Sequence, residues 1–169
     1  MVVLYHGTNQ VFRRPIPSKG RICMDFGRGF YLTPNFETAR RIALRSVDFS
    51  SAGRPVVLAF EFDDKAATLG LHTKTFARID IPWTKFVIAN RKRDEAAADH
   101  NIDGRYDIVR GPVADDRLVR LLMKYDRGLM TLEELRMQLV KTQRGMVQYS
   151  FHTPKAMKFL KFKEAVHVC

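Results

Sequence analysis

Leu4-Tyr5-His6-Gly7-Thr8-Asn9 and, further along, Asp25-Phe26-Gly27-Arg28-Gly29-Phe30-Tyr31-Leu32-Thr33 are the stretches from which the fold is read. Residues 2–5 are β-branched, apolar and aromatic, which favours a buried strand, and Gly7 turns the chain after it. Phe30-Tyr31-Leu32 reads as a second strand, whose alternation puts Gly29 and Tyr31 on one face and Phe30 and Leu32 on the other. Thr33-Pro34 then supplies an N-cap and a proline in the first helical turn. The helix expected over residues 35–47 carries Phe36, Ala39, Ile42, Ala43 and Val47 at helical spacing.

Working outward, residues 10–21 read as a loop because of Pro15, Pro17, Ser18 and Gly20, and residues 56–62 form the clearest strand in the chain. A short strand is expected near residues 68–71. Pro82 opens a helix with Trp83, Phe86, Val87 and Ala89 inward and Arg91-Lys92-Arg93 at its end. Residues 94–104 are polar and expected to be exposed, and residues 106–109 form a strand stopped by Gly111-Pro112. Asp115 or Asp116 caps a helix with Leu118, Leu121, Leu122 and Tyr125 at core spacing, and Thr131-Leu132-Glu133-Glu134 matches a capping box for a helix to about residue 140. Residues 146–151 alternate as a strand. Thr153-Pro154 caps a short helix with Ala156, Phe159 and Leu160 inward, and residues 165–168 add a last strand. Strands alternate with short helices, but no glycine-rich dinucleotide fingerprint or phosphate-binding P-loop follows any of them, so the expected class is α+β rather than doubly wound α/β.

A chain of 169 residues suits one domain, residues 1–169. Its formal charge of +11 attracts polyanions: nucleic acid, an acidic protein partner or a phosphorylated ligand. The basic stripe Arg117, Arg120, Lys124 and Arg127 fits a nucleic-acid backbone, although such a stripe is more usually a solvated helix face. Cys23 and Cys169 cannot build a disulfide framework or metal cluster, which reads as cytoplasmic, and the histidines show no metal-ligand spacing, so no metal is assigned. No apolar run approaches the roughly 20 residues that cross a bilayer, so no membrane partner is expected.

At a strand end, the His6 imidazole suits a ribose hydroxyl, and Gly7, without a Cβ, lets a ligand reach the backbone beside Thr8. The competing reading is a histidine satisfied by a neighbouring carbonyl beside a turn glycine. Tyr31 suits stacking against a flat heterocycle, or simply the core. Gly27-Arg28-Gly29 brings Arg28 towards a pyrophosphate or leaves it in solvent. Asp25-Phe26-Gly27 matches the kinase metal-binding triplet in letters alone, since the catalytic loop and lysine strand are missing.

Taken in order, residues 4–9, 25–33, the run ending in Asn90-Arg91, residues 106–116 and residues 147–153 resemble the ADP-ribosyltransferase superfamily, in its branch with a histidine, a tyrosine and a third polar residue. More narrowly they resemble a bacterial family of domains of unknown function, DUF3990. The resemblance implies split, bent sheets with peripheral short helices around a central NAD cleft, and NAD as substrate of a mono-ADP-ribosyl transfer to a protein or nucleic acid. It implies His6, Tyr31 and Gln148 as the catalytic set, and His6, Gly7, Thr8, Arg28, Gly29 and Tyr31 as the NAD-binding set. His6 would take the adenosine ribose, the Gly7 backbone the carboxamide and Tyr31 the nicotinamide ring. Gln148 stands where the well-known transferases carry glutamate; an amide accepts from a hydroxyl but brings no charge to a developing oxocarbenium. Asp25, Asp107, Asp115 and Asp116 are the carboxylates near enough to motifs to compensate. A toxin restrained by a small acidic antitoxin is one expectation, a non-catalytic nucleotide or nucleic-acid binder is the alternative, and transfer of an RNA phosphate to NAD is a remote third.

Overall fold

In the computed structural model, which describes residues 1–67, 70–114, 117–142 and 145–169, the strands fall into two sheets. The first is antiparallel, β1 (Val2–Thr8) beside β3 (Val56–Phe62) beside β7 (Leu160–His167). The second runs β2 (Phe30–Leu32), β6 (Val147–Phe151), β5 (Ile108–Pro112), β4 (Thr73–Thr75), with β4 and β5 parallel and the rest antiparallel. Helices α1 (Phe36–Ser50), α2 (Asp64–Ala67), α3 (Ile81–Lys92), α4 (Leu118–Asp126), α5 (Leu132–Thr142) and α6 (Pro154–Met157) are interspersed, so the class is α+β. No helix among the described residues is long and apolar enough to cross a membrane.

The inner faces of the two sheets meet in one core, Leu4, Leu58, Phe60 and Phe62 against Phe30, Leu32, Ile108 and Phe151. On the outer side of the first sheet lies α1, through Ala39 and Ala43 over Val57. A third cluster covers the outer side of the second sheet, where Phe26, Phe76 and Val109 pack with Trp83 and Phe86 of α3, Leu118 and Leu122 of α4, and Leu135 and Leu139 of α5. β7 ends the first sheet, with Lys161 and Lys163 exposed and a register shift between its partners Ala59 and Phe60.

Strand β3, the helix opened by Pro82 and the capping box appear as expected: Glu134 N donates to Thr131 Oγ1 at 3.2 Å and Thr131 N to Glu134 Oε2 at 2.7 Å. Several expectations are corrected. The cap of α1 is Asn35, whose side chain accepts from Thr38 N at 2.8 Å, because Thr33 is held in a bridge to Tyr5. Ile42 is 47% exposed; the helix rides so close to β1 that small residues make the contact. Within residues 94–104, His100 and Asn101 are buried, since Asn101 N donates to Asn90 Oδ1 at 2.7 Å and Asn101 Oδ1 accepts from Tyr106 N at 2.9 Å, tying the loop to α3. β5 continues through Gly111-Pro112, where a Cβ on Gly111 would stand 3.1 Å from the Phe26 ring. Leu160 starts β7 instead of closing the short helix, so the last strand is longer than the expected 165–168. The strand near residue 70 lies at Thr73–Thr75, while Thr68, Leu69, Asp115 and Asp116 fall outside the described residues.

Candidate functional site

The two sheets part beside the first motif. Tyr5 and Thr33 exchange backbone hydrogen bonds, Tyr5 N to Thr33 O at 2.8 Å and Thr33 N to Tyr5 O at 2.9 Å, joining β1 to the end of β2. In an antiparallel ladder the next bonded pair lies two residues on, which would be Gly7 with Tyr31. That pair does not form, because Tyr5 with Thr33 is an isolated bridge. Instead His6 Nδ1 reaches Tyr31 O at 2.8 Å. The carbonyl being an acceptor, Nδ1 carries the proton and Nε2 is left with a lone pair. Alternation turns the Gly7 amide and carbonyl, like those of Tyr5, away from β3 and into the split. They form one donor and one acceptor that face the split without a strand partner there, on a residue that is itself buried, with the Tyr31 amide opposite.

The space Gly7 lacks a side chain for is already taken. A Cβ there would stand 2.0 Å from Ala39 O and 2.7 Å from Ala43 N of α1, so the glycine is required by the helix crossing and not by a ligand approaching on that side. Thr8 pairs with Val56 at the end of β1.

His6 and Tyr31 leave the split on opposite sides. The imidazole shares the inner face with Phe30, ring centroids 4.5 Å apart, and Phe12 at 5.7 Å; burial holds its pKa below the usual range, opposed by the bond to Tyr31. The Tyr31 ring turns to the outer face, stacked on Phe26 at 6.5 Å and edge-on to His152 at 6.4 Å. Its hydroxyl accepts from Phe26 N at 3.0 Å and donates to Gly27 O at 2.7 Å, which pins the loop before β2. Burial, then the nearby Asp25 carboxylate, drive its pKa far up, so it stays a neutral donor.

On the same outer face, β6 carries Gln148 and Ser150, followed by His152. Gln148 Nε2 donates to Asp25 Oδ2 at 2.9 Å and to Pro112 O at 3.4 Å. Asp25 is 4% exposed and is held by Arg91, through Nε at 2.9 Å and Nη2 at 2.5 Å, and by Ala114 N at 3.2 Å. Ser150 Oγ lies 2.8 Å from His152 Nε2, and His152 Nδ1 lies 2.8 Å from Arg28 O. Burial lowers the His152 pKa to about 4, so it is neutral near pH 7, donating from Nδ1 to that carbonyl. Gly29 has no room for a Cβ, which would meet His152 Nδ1 and Phe151 O at 2.8 Å.

Of the four candidate carboxylates, Asp25 therefore touches Gln148. Asp107 is committed to the scaffold, accepting from His72 N at 2.9 Å and from Thr153 Oγ1 at 2.5 Å. Asp115 and Asp116 lie outside the described residues. Arg28 lines a cavity of about 150 Å³ with Cys23, Gly27, Asn90 and Arg93, and a larger one of about 280 Å³ lies beside Cys23, Arg91, Val119 and Met123. Neither is lined by His6, Gly7, Tyr31 or Gln148. Sequence reasoning missed Arg91, Ser150 and His152 as site neighbours. The two-residue alternation of β6 was signal enough for Ser150 and His152, whereas Arg91 looked like part of a basic helix end.

A family model described as protein of unknown function (DUF3990) matches residues 2–162. No curated protein and no solved structure matches the chain.

Proposed function

The chain belongs to the DUF3990 family, and from that premise we propose that it is an NAD-dependent mono-ADP-ribosyltransferase whose single domain takes the dinucleotide at the split between β1 and β2. The observation that carries this is the Gly7 backbone at the split, buried but without a strand partner on the β2 side: an amide donor beside a carbonyl acceptor complements a primary carboxamide, which needs one of each. His6 Nε2, the free lone pair of a neutral imidazole, accepts from a ribose hydroxyl. Tyr31 is assigned the nicotinamide ring from the outer face, where it lies against Phe26, Arg28 is assigned the pyrophosphate from the cavity it lines, and Thr8 and Gly29 the remaining backbone contacts. Gln148 Oε1 accepts from the hydroxyl of the nicotinamide ribose.

In the reaction the C1′–N bond breaks with its electron pair leaving on nicotinamide, and an acceptor heteroatom bonds to C1′ and gives up its proton. The sugar becomes cationic on the way, and preorganised acceptors stabilise it. A neutral acceptor at 148 contributes about 0.5–1.5 kcal/mol where a charged one contributes about 1.5–3, so turnover is slow, by about one to two decades. The acceptor is a protein or nucleic acid, and the charge of +11 favours an acidic one. The same charge suits a cytoplasmic toxin held by a small acidic antitoxin.

The second reading, a non-catalytic nucleotide or nucleic-acid binder, draws on the same Gln148 amide, whose carboxylate neighbour is already neutralised by Arg91. Calorimetry with NAD, followed by release of labelled nicotinamide, separates the two. Transfer requires binding that weakens about tenfold or more in His6→Ala and slow nicotinamide release, whereas binding without release favours the second. Absence of NAD binding by the intact protein overturns the transferase reading and leaves of the second only binding of another nucleotide or of nucleic acid.

A further inference from the structure

We propose that Asp25 is a positioning residue that locks the Gln148 amide with Oε1 towards the ligand, so that position 148 reads a hydroxyl donor and selects glutamine over glutamate. The proposal rests on the NAD reading only for the identity of the ligand; the lock itself belongs to the free protein. Both groups that meet Nε2, the Asp25 Oδ2 and the Pro112 carbonyl, are acceptors. An amide turned the other way would set its oxygen against two oxygens, so the donor end must face them and Oε1 must face away. Asp25 is fully engaged in turn. Oδ1 takes both Arg91 donors and Oδ2 takes Ala114 N and Gln148 Nε2, so neither member of the pair can rotate without leaving a buried group unpaired.

A glutamate at 148 would bring a second carboxylate to within hydrogen-bond distance of Asp25, and like charges so placed cannot both ionise. Glutamine here is thus a requirement of its surroundings, and the outward oxygen is an acceptor without charge. Oxygen-bearing donors such as a sugar hydroxyl satisfy it; a cationic centre gains little.

The lock is tested first without ligand, by the side-chain amide proton signals of Gln148 in the free protein. The expected result is a pair of resolved signals whose exchange with water is at least about tenfold slower than that of exposed glutamines, with protection lost in Asp25→Ala or, if that variant fails to fold, in Asp25→Ser. Exchange as fast as in exposed glutamines overturns the proposal. NAD affinity is then measured in Gln148→Glu and in the double variant that combines Asp25→Ser with Gln148→Glu. The single variant is expected to lose about tenfold and the double to recover to within about threefold, because a hydroxyl at position 25 removes the like charge and can accept from Ala114 N while donating to the new carboxylate. Affinity equal to or above the starting protein in the single variant, or no recovery in the double, overturns it. If the unaltered protein binds no NAD, the assigned function fails while the exchange measurement still decides the lock.

Discussion

The two outer faces are built by different means. Over the first sheet, α1 lies on Gly7, Ala39, Ala43 and Val57, a contact made of small apolar groups at close approach. Over the second, the aromatic cluster is interrupted by Asp25, Arg91, Gln148, Tyr31, Ser150 and His152, each hydrogen-bonded to another part of the chain. The first face tolerates no added volume, and the second ties most of its polar groups to partners, with the buried Trp83 Nε1 an exception among the described residues. Rigid backbone placement at Gly7 and a fixed amide nitrogen at Gln148 thus arise from steric exclusion on one side and from hydrogen bonds to Asp25 and Pro112 on the other.

The comparison breaks most readily at Gly7. Gly7→Ala forces its methyl group into the α1 backbone and is expected to cost about 3 kcal/mol or more by denaturant unfolding, a loss below about 1 kcal/mol showing that α1 can lift away. On the other face, Arg91→Met leaves the Asp25 carboxylate buried without its cation. Because Arg91 is itself partly exposed, the expected cost is about 2 kcal/mol by denaturant unfolding at pH 7. His152 supplies a pH signature. Its folded pKa of about 4 lies below the ordinary 6.5, so its contribution is present above pH 6.5 and is lost as pH falls from there towards 4. The slope is up to about 1.4 kcal/mol per unit, and His152→Gln should remove that part of the acid loss in a pH series of unfolding curves. Ile42→Gln, on the exposed side of α1, is expected to change stability by less than about 0.5 kcal/mol, which a thermal melt can check.

The periodic parts of the chain were legible. Residues 56–62 and the capping box at Thr131 and Glu134 declare themselves through neighbours in sequence, and their forces are local. The α1 cap was misplaced by two residues because the competing use of Thr33, its bridge to Tyr5, is a tertiary contact. The burial of His100 and Asn101 was hidden for the same reason, since a polar stretch looks solvated until Asn90 is known to meet it. At the site, the neighbourhood of His6, Gly7 and Tyr31 followed from motif order. The link from Asp25 to Arg91 spans 66 positions and the link to Gln148 spans 123, and no local pattern announces either. The role imagined for the missing Gly7 Cβ was likewise reassigned once α1 was seen to occupy that space.

The outermost strand, β7, bears on the life of the molecule at high concentration. Ala59 faces Glu164 and Phe60 faces Phe162, so Lys163 is the extra residue of a bulge on an otherwise unpaired rim. A kinked rim bearing cations offers an incoming strand neither a straight template nor a neutral landing place. An edge of this shape disfavours the addition of a second copy's strand to the first sheet.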